Sequence, residues 1–280
     1  MKKIISSITF FALLLLLFQG VTVAQVTISP TNLFIDDNAQ FGSYMVINGS
    51  NEAQEISIDF FFAYSQSDET GTRGIVQNDT EREEEFSIAD NVRAFPRNFT
   101  LAPGQRQTVR LRVSGTNELP DGTYWSRIKT TSTPETPPLE IQSNDAVTAR
   151  VGIRVEQVTG LFFKKGNVTT GIDIVGIETN TENEGNTLNV LVDHLRTGNS
   201  PFLGTITTEI LNAQGRTVLS DFVSTSIYFD GIFKQQLNIQ DLQPGNYRVR
   251  VTFESDRNDI DRSRLVQMPT STQTVPLSIR

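Results

Sequence analysis

Hydrophobic residues along this chain recur at every second position, the pattern of strands with one face buried. Ile56, Ile58, Phe60, Phe62 and Tyr64 fall on one side of such a strand, with Ser57 and Asp59 on the other. Val109, Leu111 and Val113 alternate with Arg110 and Arg112. Tyr247, Val249, Val251 and Phe253 alternate with Arg248, Arg250 and Thr252. No long stretch carries helical spacing. Short strands separated by turn clusters predict an all-β protein made of sandwiches.

An internal echo predicts two such units. Leu119-Pro120-Asp121-Gly122-Thr123-Tyr124 and Leu242-Gln243-Pro244-Gly245-Asn246-Tyr247 both read as a turn followed by Tyr at a strand start. Immunoglobulin-like sandwiches place there a tyrosine whose hydroxyl bonds back to the chain. The expected architecture is two immunoglobulin-like β-sandwich domains in tandem, residues 25–165 and 166–280, divided near Lys164-Lys165-Gly166. Residues 65–85, ending in Glu81-Arg82-Glu83-Glu84-Glu85, read as a solvated hairpin tip. Thr130 to Ser143 reads as a loop, because Pro134, Pro137 and Pro138 exclude it from a central strand. Asp256 to Arg264 reads as a charged loop.

The N-terminus changes the picture by adding export. Lys2 and Lys3 precede an apolar run from Ile8 to Phe18, and Thr22-Val23-Ala24 offers small residues ahead of Gln25. Residues 1–24 are therefore expected to be a cleaved signal peptide. The run is too short to span a bilayer, and no second one follows, so membrane insertion is not expected. An exported chain with no Cys must be stabilised by burial alone, which suits a bacterial periplasm, with the cell surface or medium as alternatives. The formal net charge of −8 becomes −10 once Lys2 and Lys3 leave with the signal. So acidic a chain has no general attraction for nucleic acid or anionic lipid.

The segment from Arg93 to Ile128 carries the most distinctive motif. Pro96, Phe99, Leu101, Pro103-Gly104-Gln105, the Val109-Arg110 strand, Leu119-Pro120 and Tyr124-Trp125 resemble the N-terminal domain of PapD-like periplasmic pilus chaperones. The stretch from Ala146 to Lys164, ending Leu161-Phe162-Phe163-Lys164, looks like the last strand of that domain. The resemblance covers residues 26–165. The C-terminal half carries no motif of the family's second domain and reads only as an immunoglobulin- or fibronectin-like module.

The resemblance implies strand addition, in which the last strand of the first domain pairs with an exported client's exposed edge. The client would be a pilus-like or surface subunit, with an outer-membrane assembly pore as a further partner. Val147, Ala149, Val151, Ile153 and Val155 form the apolar face implied to contact the client. Thr148, Arg150, Gly152, Arg154 and Glu156 form the opposite face. The same alternation would serve a strand that only covers its own core, and sequence leaves both open. The family anchors the client's terminal carboxylate with an Arg in the first strand and a Lys in the last. Alignment places Asn32 and Gly160 there, and neither supplies a charge-assisted bond. Lys164 or Lys165 offers a substitute charge without a motif to support it.

Catalytic chemistry is thin, and no enzyme activity, cofactor or metal is expected. His194 is the only histidine and shares a strand face with Val190 and Val192, whereas Asp193 points the other way. It reads as a structural residue. Asp256, Asp259 and Asp261 fit no calcium-loop spacing and sit among Arg257, Arg262 and Arg264, so a salt-bridged loop is expected. In Gly198-Asn199-Ser200-Pro201-Phe202-Leu203-Gly204, Phe202 either plugs the second core or meets the first domain or a partner. The expected function is that of a periplasmic PapD-like chaperone or assembly accessory. The alternative is a non-catalytic structural or adhesive module of a cell-surface complex.

Overall fold

A computed structural model describes residues 26–135, 153–182 and 185–279. The signal assigned to residues 1–24 lies outside the described residues. Turns cut the first half into β1 (Val26–Ser29), β2 (Asn32–Asp36), β3 (Phe41–Asn48), β4 (Gln54–Phe61), β5 (Ala63–Ser67) and β6 (Arg73–Gln77). A short helix, α1 (Thr80–Phe86), follows. Asp79 caps it by accepting from the Arg82 N–H, and Glu81 and Glu83 suit its positive end. The half is completed by β7 (Val92–Phe95), β8 (Asn98–Leu101), β9 (Arg106–Val113), β10 (Gly122–Pro134) and β11 (Val155–Lys165).

All of these strands except the separate β5–β6 pair form two facing sheets, of order β1-β3-β9-β7 and β2-β11-β10-β4-β8. Pro30 has no N–H to continue a ladder. The chain changes sheets there, β1 joining β3 and β2 running parallel to β11. Val46, Ile58, Val109, Leu111, Leu161 and Phe163 fill the space between the sheets.

The second half contains β12 (Thr170–Glu182), β13 (Thr187–Gly198), β14 (Phe202–Leu211), β15 (Thr217–Ile227), β16 (Gly231–Asn238), β17 (Gly245–Glu254) and β18 (Ser271–Ile279). Sheets β12-β13-β16 and β15-β14-β17-β18 enclose a second core around Val190, Val192, Ile206, Val249, Val251 and Phe253. The all-β, two-sandwich architecture is what the alternating pattern predicts. Both tyrosine corners form: Tyr124 donates to the Pro120 carbonyl at 3.0 Å and Tyr247 to the Gln243 carbonyl at 2.8 Å. Each such bond contributes about 1 kcal/mol net.

Three expectations need correction. The Ile56–Tyr64 strand is not continuous: β4 stops at Phe61, and Phe62 and Tyr64 pack into a different cluster from Ile56 and Ile58. Residues 65–85 do contain a hairpin, β5–β6, and most of them are exposed, but the segment ends in α1, and both elements contact the second sandwich. Thr130–Pro134 is not a loop but the end of β10, paired with β4 throughout and with β11 as far as Ser132. Pro134 is tolerated because it is the strand's last residue, and the threonines before it are β-branched.

Candidate functional site

The last strand of the first sandwich is paired unequally on its two sides. Along one side β11 pairs with β10 from Val155 to Lys165. Along the other, β2 pairs only from Gly160 to Lys164. The backbone bonds to this second side involve even-numbered residues: Gly160 N–H donates to Thr31, and the Lys164 carbonyl accepts from Asp37. By the same alternation, the N–H and C=O of Glu156 and Val158 point to that side. No strand among the described residues pairs with them there.

Val147, Ala149 and Val151 of the implied client face lie outside the described residues. Ile153 precedes β11 and is 64% exposed, whereas Val155 opens the strand half-buried. The same parity continues through Gln157 and Thr159 to Leu161 and Phe163, which belong to the first core. Thus this face of β11 is core at Leu161 and Phe163 and only half-buried at Val155, with Ile153 exposed just ahead of the strand.

The opposite face of β11 borders a cleft between the sandwiches. Pairing across four strands, β2, β11, β10 and β4, sets Asn32, Gly160, Arg127 and Phe61 in one row. The two positions aligned with the family's anchors therefore do meet. A Cβ on Gly160 would come within 2.6 Å of Asn32 Oδ1 and 3.6 Å of Arg127 Nη1, so only glycine leaves this space open. The charge in this row comes from β10, through Arg127. Its Nε donates to the Ala63 carbonyl at 3.1 Å and its Nη2 to the Tyr228 hydroxyl at 3.0 Å.

Arg73 on the β5–β6 hairpin faces the same cleft. Its Nη2 donates to Ser65 Oγ and to the Ser226 carbonyl, both at 2.7 Å. Partial desolvation and the neighbouring Arg257 and Arg127 guanidiniums depress its pKa, against an opposing pull from Tyr228. Arg73, Arg127, Tyr228 and Val158 line a cavity of about 620 Å³. Among the described residues no carboxylate pairs with Arg73 or Arg127. Lys164 and Lys165 are committed elsewhere: Lys164 Nζ donates to the Arg264 carbonyl, and Lys165 pairs with Asp37 at 3.1 Å.

A third apolar cluster fixes the cleft. Phe62, Tyr64, Trp125 and Phe162 of the first sandwich pack with Leu203, Tyr228, Ile260 and Leu265 of the second. Tyr64 also donates to Asp79 at 2.5 Å, and burial with this bond raises its pKa to about 12. Arg82 of α1 lies 4.1 Å from the Phe229 ring centroid. At the hairpin tip, Gly71 has φ +78°, and a Cβ there would sit 2.6 Å from the Lys234 side chain. A second junction joins Thr123 Oγ1 to Ser200 Oγ at 2.8 Å and Thr123 N–H to the Asn199 carbonyl at 2.9 Å. Of the two roles open to Phe202, the loop gives it the core one, and the interdomain contact falls to its neighbour. Phe202 is buried in the second core, and Leu203 joins the interdomain cluster.

The remaining candidates have structural partners. Asp259 pairs with Arg257 at 2.6 Å and Asp261 accepts from the Ser263 N–H at 2.8 Å, while Ile260 and Leu265 anchor their loop. His194 is buried, 6.2 Å from the Phe253 ring, with Asp193 exposed. Burial lowers its pKa. As pH falls through about 6.5 the unfolded chain takes up a proton that the native state refuses. Stability is therefore full above that value and is expected to fall below it, by at most about 1.4 kcal/mol per pH unit. Denaturant melts at about pH 7 and about pH 5.5 check this, with His194→Leu expected to flatten the difference.

Among the described residues no helix is long and apolar enough to cross a membrane. No protein-family model and no curated protein matches the chain. Among solved structures, the chain is similar to the E. coli chaperone DraB, at 14% identity and TM-score 0.41, over 91% of this chain and 97% of that one. It is similar to the Salmonella enterica SafA pilin complex with the SafB chaperone, at 12% identity and TM-score 0.40, over 91% and 99%. It is also similar to the Acinetobacter baumannii CsuC–CsuE chaperone–tip adhesion subunit pre-assembly complex, at 10% identity and TM-score 0.43, over 90% and 98%.

Proposed function

We propose that the chain is an exported, periplasmic PapD-like chaperone or assembly accessory, which holds an exported client by strand addition at β11. The observation that carries this reading is the open side of β11 before Gly160, where Glu156 and Val158 direct unpaired backbone groups outward. A client strand placed there would gain main-chain bonds from β11 and side-chain contacts from its alternate residues. Ile153 and Val155, with Val147, Ala149 and Val151 ahead of them, supply the apolar contacts. Residues 25–165 form the client-binding domain and residues 166–280 the second domain, which closes the cleft.

Arg127 and Arg73 receive the client's terminal carboxylate in this reading. They compensate for the neutral Asn32 and Gly160, because guanidiniums make bidentate bonds to carboxylates wherever they project into the same space. Arg127→Gln is expected to weaken capture of the copurifying client roughly 10- to 100-fold, the value of one charge-assisted bond of about 1.5–3 kcal/mol. Loss of the same size is expected when the client's terminal carboxylate is amidated, with no further loss when both changes are combined. Additive losses would place the carboxylate elsewhere.

A further inference from the structure

The sheet on the far side of the first sandwich has an outer face that no described residue covers. Strands β1, β3, β9 and β7 contain no Asp or Glu, although the chain has 32 acidic residues against 24 basic ones. Arg106, Arg110 and Arg112 alternate with the buried Val109, Leu111 and Val113, so all three project outward. Arg93 on β7 lies directly across from Arg112. Like charges opposite each other on one sheet face are destabilising. Arg93 reaches only backbone carbonyls, and among the described residues Arg106, Arg110 and Arg112 have no side-chain partner.

Two phenyl rings lie within this field of charge. Phe41 pairs with Arg112 and Phe95 with Arg110, and they are 67% and 60% exposed. Strand spacing places the four guanidiniums and both rings within about 20 Å of one another. Arginine interleaved with aromatic rings is the composition of protein–protein contact surfaces. A lipid surface would have to overcome a chain whose net charge is −8.

We infer that the outer face of the β1-β3-β9-β7 sheet is a docking surface for a second protein, whose contacting surface carries carboxylates beside apolar side chains. The face belongs to the sheet that lacks β11, so client and second partner can be held together. The inference does not depend on the client reading.

A random copolymer of glutamate and tyrosine is a direct probe. Wild-type protein is expected to bind it in a salt-sensitive manner. The R110E/R112E pair should weaken binding at least tenfold, and Phe41→Ser should weaken it several-fold. R110E/R112E should also raise the melting temperature, because Arg112→Glu replaces a like-charged cross-strand pair with an opposite one. Glu156→Pro, which alters the β11 edge, should leave copolymer binding unchanged. Equal copolymer binding by wild type and R110E/R112E would overturn the inference. So would arginine-dependent cosedimentation with phosphatidylglycerol vesicles, which would assign the face to lipid. A wild-type dimer that R110E/R112E converts to monomer would assign it to a second copy of the chain, and would also overturn it.

Discussion

Glu156→Pro is expected to weaken client capture about 30-fold while leaving the first sandwich folded. The residue pairs with Thr131 of β10, but its own N–H and C=O point to the open side. Proline there removes a donor that no described residue uses and sets a ring where a client backbone would approach. Losing one ladder bond together with that approach corresponds to about 2 kcal/mol, hence the 30-fold. The Arg154–Glu156 ion pair is exposed on both sides and contributes little. Glu156→Ala therefore serves as the control and should capture client nearly as well as wild type. The check is the affinity of the copurifying client for each variant, with a thermal melt to verify folding.

Trp125→Ala is expected to destabilise the protein by about 3–5 kcal/mol and to uncouple the two sandwiches. Trp125 is 2% exposed, with ring centroids of Phe86, Tyr228, Phe62 and Phe229 at 4.8, 4.9, 5.7 and 6.0 Å. Its indole nitrogen has no hydrogen-bond partner among the described residues, so the loss is one of packing. The two main cores lie away from this cluster and should survive. Calorimetry should show a wild-type transition splitting into two, the second sandwich retaining its own melt. Capture should fall as well, because Arg73 and Tyr228 reach the cleft only while the sandwiches are held together. A single transition with unchanged capture would mean that the cluster does not set the domain arrangement.

Much of the fold is legible because half-buried strands leave a two-residue period. Val109, Leu111 and Val113 between exposed arginines, and Val249, Val251 and Phe253 in β17, sit where that period puts them. Phe62 and Tyr64 keep the period of Ile56 and Ile58 but serve a different core, since alternation is blind to a strand that ends and leaves its sheet. The polar 65–85 segment looks solvated because few of its residues are apolar. Most of it is solvated, yet it also meets the second sandwich through Arg73, Arg82 and the space left by Gly71. The candidate site was legible only in part. Alignment puts Asn32 and Gly160 at the two anchor positions, but their pairing, and the entry of Arg127 into their row, come from the register of β10, β11 and β2, which no local pattern encodes.

Hydrogen exchange at the amides of Glu156 and Val158, with and without bound client, tests strand addition most directly. In the free protein these two N–H groups should exchange rapidly, while those of Gln157 and Thr159, directed at β10, should be protected. Client binding should slow Glu156 and Val158 by at least two orders of magnitude, since an amide newly placed in a ladder exchanges only when the complex opens. Unchanged exchange at both positions under saturating client would contradict pairing at this edge, whatever the effect of the proline variant.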